Sequence, residues 1–163
     1  MARKVSGIAV LVLMVSAFGP SLAAADTSSV DELVKQAQKA LQDGKYKAAV
    51  TALDQAIAAA PDRADLYGMR AKANDERNDV DKALADVKKM IELEPDSAAG
   101  YIIRAKIHMG AQKYDEALAD ANAAIEREPK NPDAYYVRSD IYSEMGKEAE
   151  SKADETKASS LDR

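Results

Sequence analysis

The constraint that dominates this chain is an internal repeat of 34 residues. Pro61, Pro95 and Pro129 fall at that spacing, as do Ala49, Ala83 and Ala117, Tyr67, Tyr101 and Tyr135, and Arg70, Arg104 and Arg138. The blocks LYGMRAKA, GYIIRAKI and AYYVRSDI open three units, and YKAAVTALDQAIAAAP, VDKALADVKKMIELEP and YDEALADANAAIEREP close three. Several residue types recurring in one register mean a stack of similar supersecondary units, none of which buries its apolar face alone. Within a unit, two patterns with three-and-four spacing flank a short polar break. Tyr101, Arg104, Ala105 and His108 lie before it, and Ala117, Ala121, Ala124 and Ile125 lie after it. That is a helical hairpin.

Local chemistry marks the helix ends. Ser29 to Glu32 (S-V-D-E) reads as a capping box and predicts a helix start there. Asn131-Pro132 supplies a side-chain cap followed by a proline in the first turn. Gly44 and Gly146 suit a left-handed turn between paired helices, Asn78 tolerates one, and Gln112 at the equivalent place fits it less well. The three repeated prolines end the second helix of each unit. With seven glycines and five prolines, turn residues are too few for a sandwich or barrel, and the expected class is all-α.

These residues resemble the tetratricopeptide repeat family, whose unit is a helix, a tight turn and a second helix. The resemblance places Ala37, Ala71 and Ala105 of first helices against Ala49, Ala83 and Ala117 of second helices. It implies a right-handed superhelical stack of about four hairpins, at 30–63, 64–97, 98–131 and 132–163. The chain departs from the family pattern in three ways. Leu33 stands where a large aromatic is usual, Ala or Ser replaces a frequent glycine, and the last unit is weak, with Ser139 and Ser151 in alanine positions and the polar KEAESKADETKASS as its second helix. A polar last helix suits a terminal cap that faces solvent and is free to fray.

Residues 1–25 read as a targeting segment. Arg3 and Lys4 precede an apolar run of 11 residues, Ile8 to Phe18, and Gly19-Pro20 then breaks the helix before Ser21-Leu22-Ala23-Ala24-Ala25. The run is short of the ~20 residues that span a bilayer. Cleavage is expected after Ala25, or alternatively after Ala23, giving a periplasmic or secreted protein exported by the general secretory route with no stable membrane insertion.

Removing Arg3 and Lys4 from 23 basic residues leaves 21 against 28 acidic ones, a net charge of −7. A net acidic chain without a basic stripe does not suit nucleic acid, because phosphate neutralisation supplies most of that affinity. There is no cysteine and a single histidine, His108, expected as a packed structural side chain, so no metal site, cofactor or catalytic residue is expected. The acidic residues are spread along helix exteriors as solvated faces.

The resemblance implies an inner face lined by first helices that receives a peptide or a partner's helix. The residues assigned to it are Met69, Lys72, Ile102, Ile103, Lys106, Tyr136, Val137 and Asp140, an apolar strip flanked by two lysines. The same apolar side chains serve equally as buried contacts between units. Relatives that clamp the terminal carboxylate of a chaperone use lysine, asparagine and arginine, whereas the corresponding positions here hold Val34, Gln38, Met69, Ala99 and Ile103. The function expected is that of an exported, non-catalytic interaction scaffold, with self-assembly into a homo-oligomer as the alternative. Arg70, Arg104 and Arg138, like Tyr67, Tyr101 and Tyr135, are expected to pack between helices.

Overall fold

The structure, a computed structural model, describes residues 22–162. Among them are eight α-helices and no strand: α1 (Leu22–Gln42), α2 (Tyr46–Ala59), α3 (Ala64–Asp75), α4 (Val80–Leu93), α5 (Ala98–Gly110), α6 (Tyr114–Arg127), α7 (Pro132–Glu144) and α8 (Glu148–Leu161). Each odd-numbered helix folds back on the even one that follows it. Each even helix then packs on the next odd one, and α5 also touches α3 and α7. The result is a linear stack of four hairpins.

The turn inside each hairpin follows from one backbone device. Gly44, Asn78, Gln112 and Gly146 all take positive φ, at 68°, 60°, 59° and 71°. In each case the next N–H reaches back five residues: Lys45 to Ala40, Asp79 to Asn74, Lys113 to His108 and Lys147 to Tyr142, at 2.7 to 2.8 Å. This is the Schellman closure, which satisfies carbonyls left free at a helix end. Gln112 adopts the left-handed conformation despite its Cβ.

Close approach of the paired helices requires small side chains. Ala37, Ala49, Ala71, Ala83, Ala105 and Ala117 are all fully buried. In the last hairpin Ser139 and Ser151 replace such a pair, and their hydroxyls meet at 2.9 Å while Ser139 Oγ also donates to the Ser151 carbonyl at 3.0 Å. The second helices stop at Ala59, Leu93 and Arg127, two residues before Pro61, Pro95 and Pro129. Tyr67 and Tyr135 then donate from their hydroxyls to the Pro61 and Pro129 carbonyls at 2.9 and 3.0 Å. At the third such joint Arg127 Nε donates to the Pro95 carbonyl at 2.8 Å, with its guanidinium 3.8 Å from the Tyr101 ring centre.

Two sequence expectations about helix ends meet different fates. Asn131 caps α7, accepting from the Asp133 N–H at 3.0 Å, with Pro132 in the first turn. Ser29, by contrast, does not start a helix, because α1 already runs from Leu22. The alanines at 23 to 25 are strong helix formers and carry the helix back past the capping box. The basic and apolar parts of the expected targeting segment lie outside the described residues, while both expected cleavage points fall within α1. α8 is helical through to Leu161 although it buries only Ser151, Asp154 and Ala158.

Candidate functional site

The first helices supply the candidate surface, and its geometry follows from which of their positions the neighbouring hairpins cover. Lys72, Lys106 and Asp140 recur at the repeat spacing on α3, α5 and α7, and all three side chains are exposed. Tyr136 is the exposed large hydrophobic residue of the set, at 36%. Its hydroxyl donates to Asp162 Oδ2 at 3.0 Å, which holds the ring against the end of α8.

Ile102 and Val137 do not belong to this surface. They are 8% and 2% exposed and sit in one apolar cluster with Tyr101, Ala121 and Ile141. The contact of α5 with α7 closes the stack over them. Met69 and Ile103 are half-buried. Met69 packs on the cluster of Val34, Leu53 and Leu66. Ile103 packs against Ala71 and Val87, and its tip lies where a Cβ on Gly68 would be 3.3 Å away. The expected apolar strip is thus a charged row with half-buried apolar shoulders, because the packing of α7 on α5 takes Ile102 and Val137 into the joint between hairpins.

The electrostatics of the row are mixed. Burial pushes the Asp140 carboxyl above its ordinary range, Lys106 pulls it back down, and Glu155 and Glu144 push it further up. Asp75, in the last turn of α3, is raised by burial and by Glu76. At the opposite ends of these helices Arg63 bridges two hairpins. It lies 3.2 Å from Asp31 of α1 and grips Asp65 of α3 at 3.1 and 2.7 Å, which holds the Asp65 carboxyl below its usual range.

Sequence reasoning missed a second ladder that completes the arginine one. Asp86, Asp120 and Asp154 also recur every 34 residues, and each is buried. Arg70 binds Asp86 at 3.0 and 2.6 Å, Arg104 binds Asp120 at 3.0 and 2.6 Å, and Arg138 binds Asp154 at 2.7 and 2.8 Å. Each pair joins the two helices of one hairpin through a two-pronged, charge-assisted contact. Hydrogen bonding to the carboxylates raises all three guanidinium groups above the ordinary arginine value. The arginines are therefore structural, as expected; His108 is half-buried, with Nδ1 3.1 Å from Asp120 Oδ2 but without a hydrogen-bond partner among the described residues. Among the described residues no group of three or more acidic or histidine side chains is arranged to hold a metal ion, and no helix is long and apolar enough to cross a membrane.

Comparison with known proteins agrees with this architecture. Among solved structures, MamA superposes with a TM-score of 0.68 at 20% identity, over 85% of this chain and 81% of that one. The first repeat domain of Spaghetti (RPAP3), bound to the HSP90 peptide SRMEEVD, gives 0.64 at 24% identity over 73% and 94%. The second such domain of human RPAP3, in complex with the HSP70 peptide SGPTIEEVD, gives 0.64 at 23% over 71% and 97%. No curated protein sequence matches. The family model described as Tetratricopeptide repeat matches residues 34–98 and 104–151, more than half of the chain. With that match and the four hairpins in place, the chain belongs to the tetratricopeptide repeat family.

Proposed function

We propose that this chain is an exported, non-catalytic scaffold that binds a peptide or a partner helix along the face built by α3, α5 and α7. Proteins of this family are protein-interaction scaffolds, and the two RPAP3 domains of similar fold are peptide-bound. The observation that carries the reading is the exposed row Lys72, Lys106 and Asp140 beside the half-buried Met69 and Ile103 and the exposed Tyr136. Polar groups left in water along one face, with apolar shoulders in reach, give an extended segment both register and anchors. A partner suited to the row places an acidic group between Lys72 and Lys106 and a donor opposite Asp140.

Export rests on residues 1–25, whose basic start, short apolar run and small residues have the order of a secretory signal. Cleavage after Ala25 removes Leu22 to Ala25 from α1 and leaves Ser29 to Glu32 free to act as the new helix cap. Two experiments test these proposals. N-terminal sequencing of the protein from the envelope or medium is expected to begin at Asp26, and an uncleaved cytosolic chain overturns the export reading. Partners retained by the wild type are expected to be lost by a Lys72→Glu, Lys106→Glu double variant with unchanged helical circular dichroism. Unchanged retention removes the row as the binding site.

A further inference from the structure

The three arginine rungs are alike in the hairpin they tie together and unlike in what meets the outer edge of the guanidinium. Arg70 Nη1 donates to Asp54 Oδ1 at 2.6 Å, and Arg138 Nη1 donates to Asn122 Oδ1 at 2.7 Å. Both acceptors lie sixteen residues earlier, on the second helix of the preceding hairpin, so each rung also stitches two hairpins together. The corresponding residue for Arg104 is Lys88, an exposed cation on α4. Arg104 binds Asp120 through Nε and Nη2, and among the described residues Nη1 has no side-chain acceptor.

Three further facts make this rung different in kind. The Arg104 side chain is 30% exposed, against 22% for Arg70 and Arg138. Asp120 accepts from Arg104 with both oxygens, while His108 Nδ1, 3.1 Å from Oδ2, makes no hydrogen bond to it. Lys88 has no ion pair within 4 Å among the described residues, and at the position where the other two rungs have an oxygen acceptor the chain here supplies a cation. The rung at Arg70 carries one cation against two carboxylates. On a chain of net acidic charge, this is a local reversal of sign at a pre-aimed N–H donor.

We propose that the Arg104–Lys88 rung is a docking point for an acidic side chain of a protein partner. One carboxylate oxygen takes the place that Asp54 and Asn122 oxygens occupy in the other rungs, and the second faces the Lys88 ammonium. The contact lies on the side of the stack that carries the second helices, so it is separate from the row on α3, α5 and α7 and stands or falls independently of it. The partner's carboxylate completes the stitch between the second and third hairpins that the chain itself supplies at the other two junctions.

The test follows the arginine Nε–H signals of the purified protein by nitrogen-15 NMR, during titration with an acetylated tetraglutamate peptide at constant ionic strength. The Arg104 signal is expected to move with a half-saturation at least about ten-fold below that of Arg70 and Arg138. Lys88→Asp supplies the acceptor from within the chain, as Asp54 does, and is expected to abolish the Arg104 response with unchanged circular dichroism. Lys88→Gln, which cannot satisfy the guanidinium by charge, is expected to weaken the response without abolishing it. Movement of all three arginines together, no movement of Arg104, or an unchanged response in Lys88→Asp each overturns the proposal. Equal half-saturation by acetate at the same carboxylate concentration also overturns it, since the rung is then a small-anion site.

Discussion

The third and fourth hairpins occupy the same frame with different chemistry. α6 buries Ala117, Asp120, Ala121 and Ala124 and adds the half-buried Leu118 and Ile125. α8 buries Ser151, Asp154 and Ala158, at the positions equivalent to Ala117, Asp120 and Ala124, and presents Ser159 where α6 has Ile125. The two helices have the same length, and both are fixed by an arginine from the partner helix. The frame therefore depends on small residues at the crossing point and on the buried ion pair more than on apolar mass. Apolar mass is what joins one hairpin to the next, and α8 has no following hairpin among the described residues.

The crossing point gives the largest effect. Ala117 is enclosed between α5 and the neighbouring hairpins, so Ala117→Leu is expected to cost about 3 kcal/mol through overpacking. Ser151→Leu is expected to cost about 1 kcal/mol, because α8 can move outward into solvent. Urea unfolding of the two variants checks this, and equal losses would mean that the terminal helix is as confined as the internal one.

The ion pairs come next. Asp120→Ala leaves Arg104 with no side-chain acceptor among the described residues, at an expected cost of about 2 kcal/mol, the usual penalty for a broken buried pair reduced for the guanidinium's partial exposure. Asp154→Ala leaves Arg138 its bond to Asn122, and about 1 kcal/mol is expected. A larger loss for Asp154→Ala would show that the polar hairpin relies on its rung more than the apolar one does. At the turns the ordering reverses. Gln112 holds φ 59° at a Cβ cost that Gly146 avoids, so Gln112→Gly is expected to stabilise the third hairpin by about 1 kcal/mol, read as a raised midpoint of thermal unfolding.

Much of this frame was legible in the sequence because it is periodic. The recurring alanines, prolines and turn positions each report a local requirement, a close crossing, a helix stop or a left-handed residue, and the structure meets them where they recur. The aspartates at 86, 120 and 154 recur equally clearly. They were missed because a helical aspartate taken alone reads as a solvated residue, and only its partner sixteen residues earlier gives it a reason to be buried. The candidate face was less legible for a different reason. Ile102 and Ile103 are sequence neighbours of identical chemistry, yet one is buried in the cluster around Tyr101 and the other remains half-open. That difference is set by how α7 lies across α5, which no spacing within one unit encodes. Ser29 failed as a helix start because a capping box competes with what precedes it, and three alanines outweigh it in the uncleaved chain.

The smallest effect tests the charged row, where Asp140 in the fourth hairpin replaces the lysine of the third. Burial, with Glu155 and Glu144, raises the folded-state pKa of Asp140 above its value of 3.8 in the unfolded chain. The folded state then holds the proton more readily than the unfolded state, so ionisation opposes folding. That cost is absent below pH 3.8 and complete once the pH passes the raised folded value. Asp140→Asn is expected to raise stability at pH 7 by roughly 0.3 kcal/mol, a small figure because the group is exposed and screened, and to give no gain at pH 3. Denaturant midpoints at the two pH values measure it. A loss at pH 7 would mean that the attraction of Lys106 outweighs burial and the two glutamates, and the row would then be a self-paired structural contact with less charge to offer a partner.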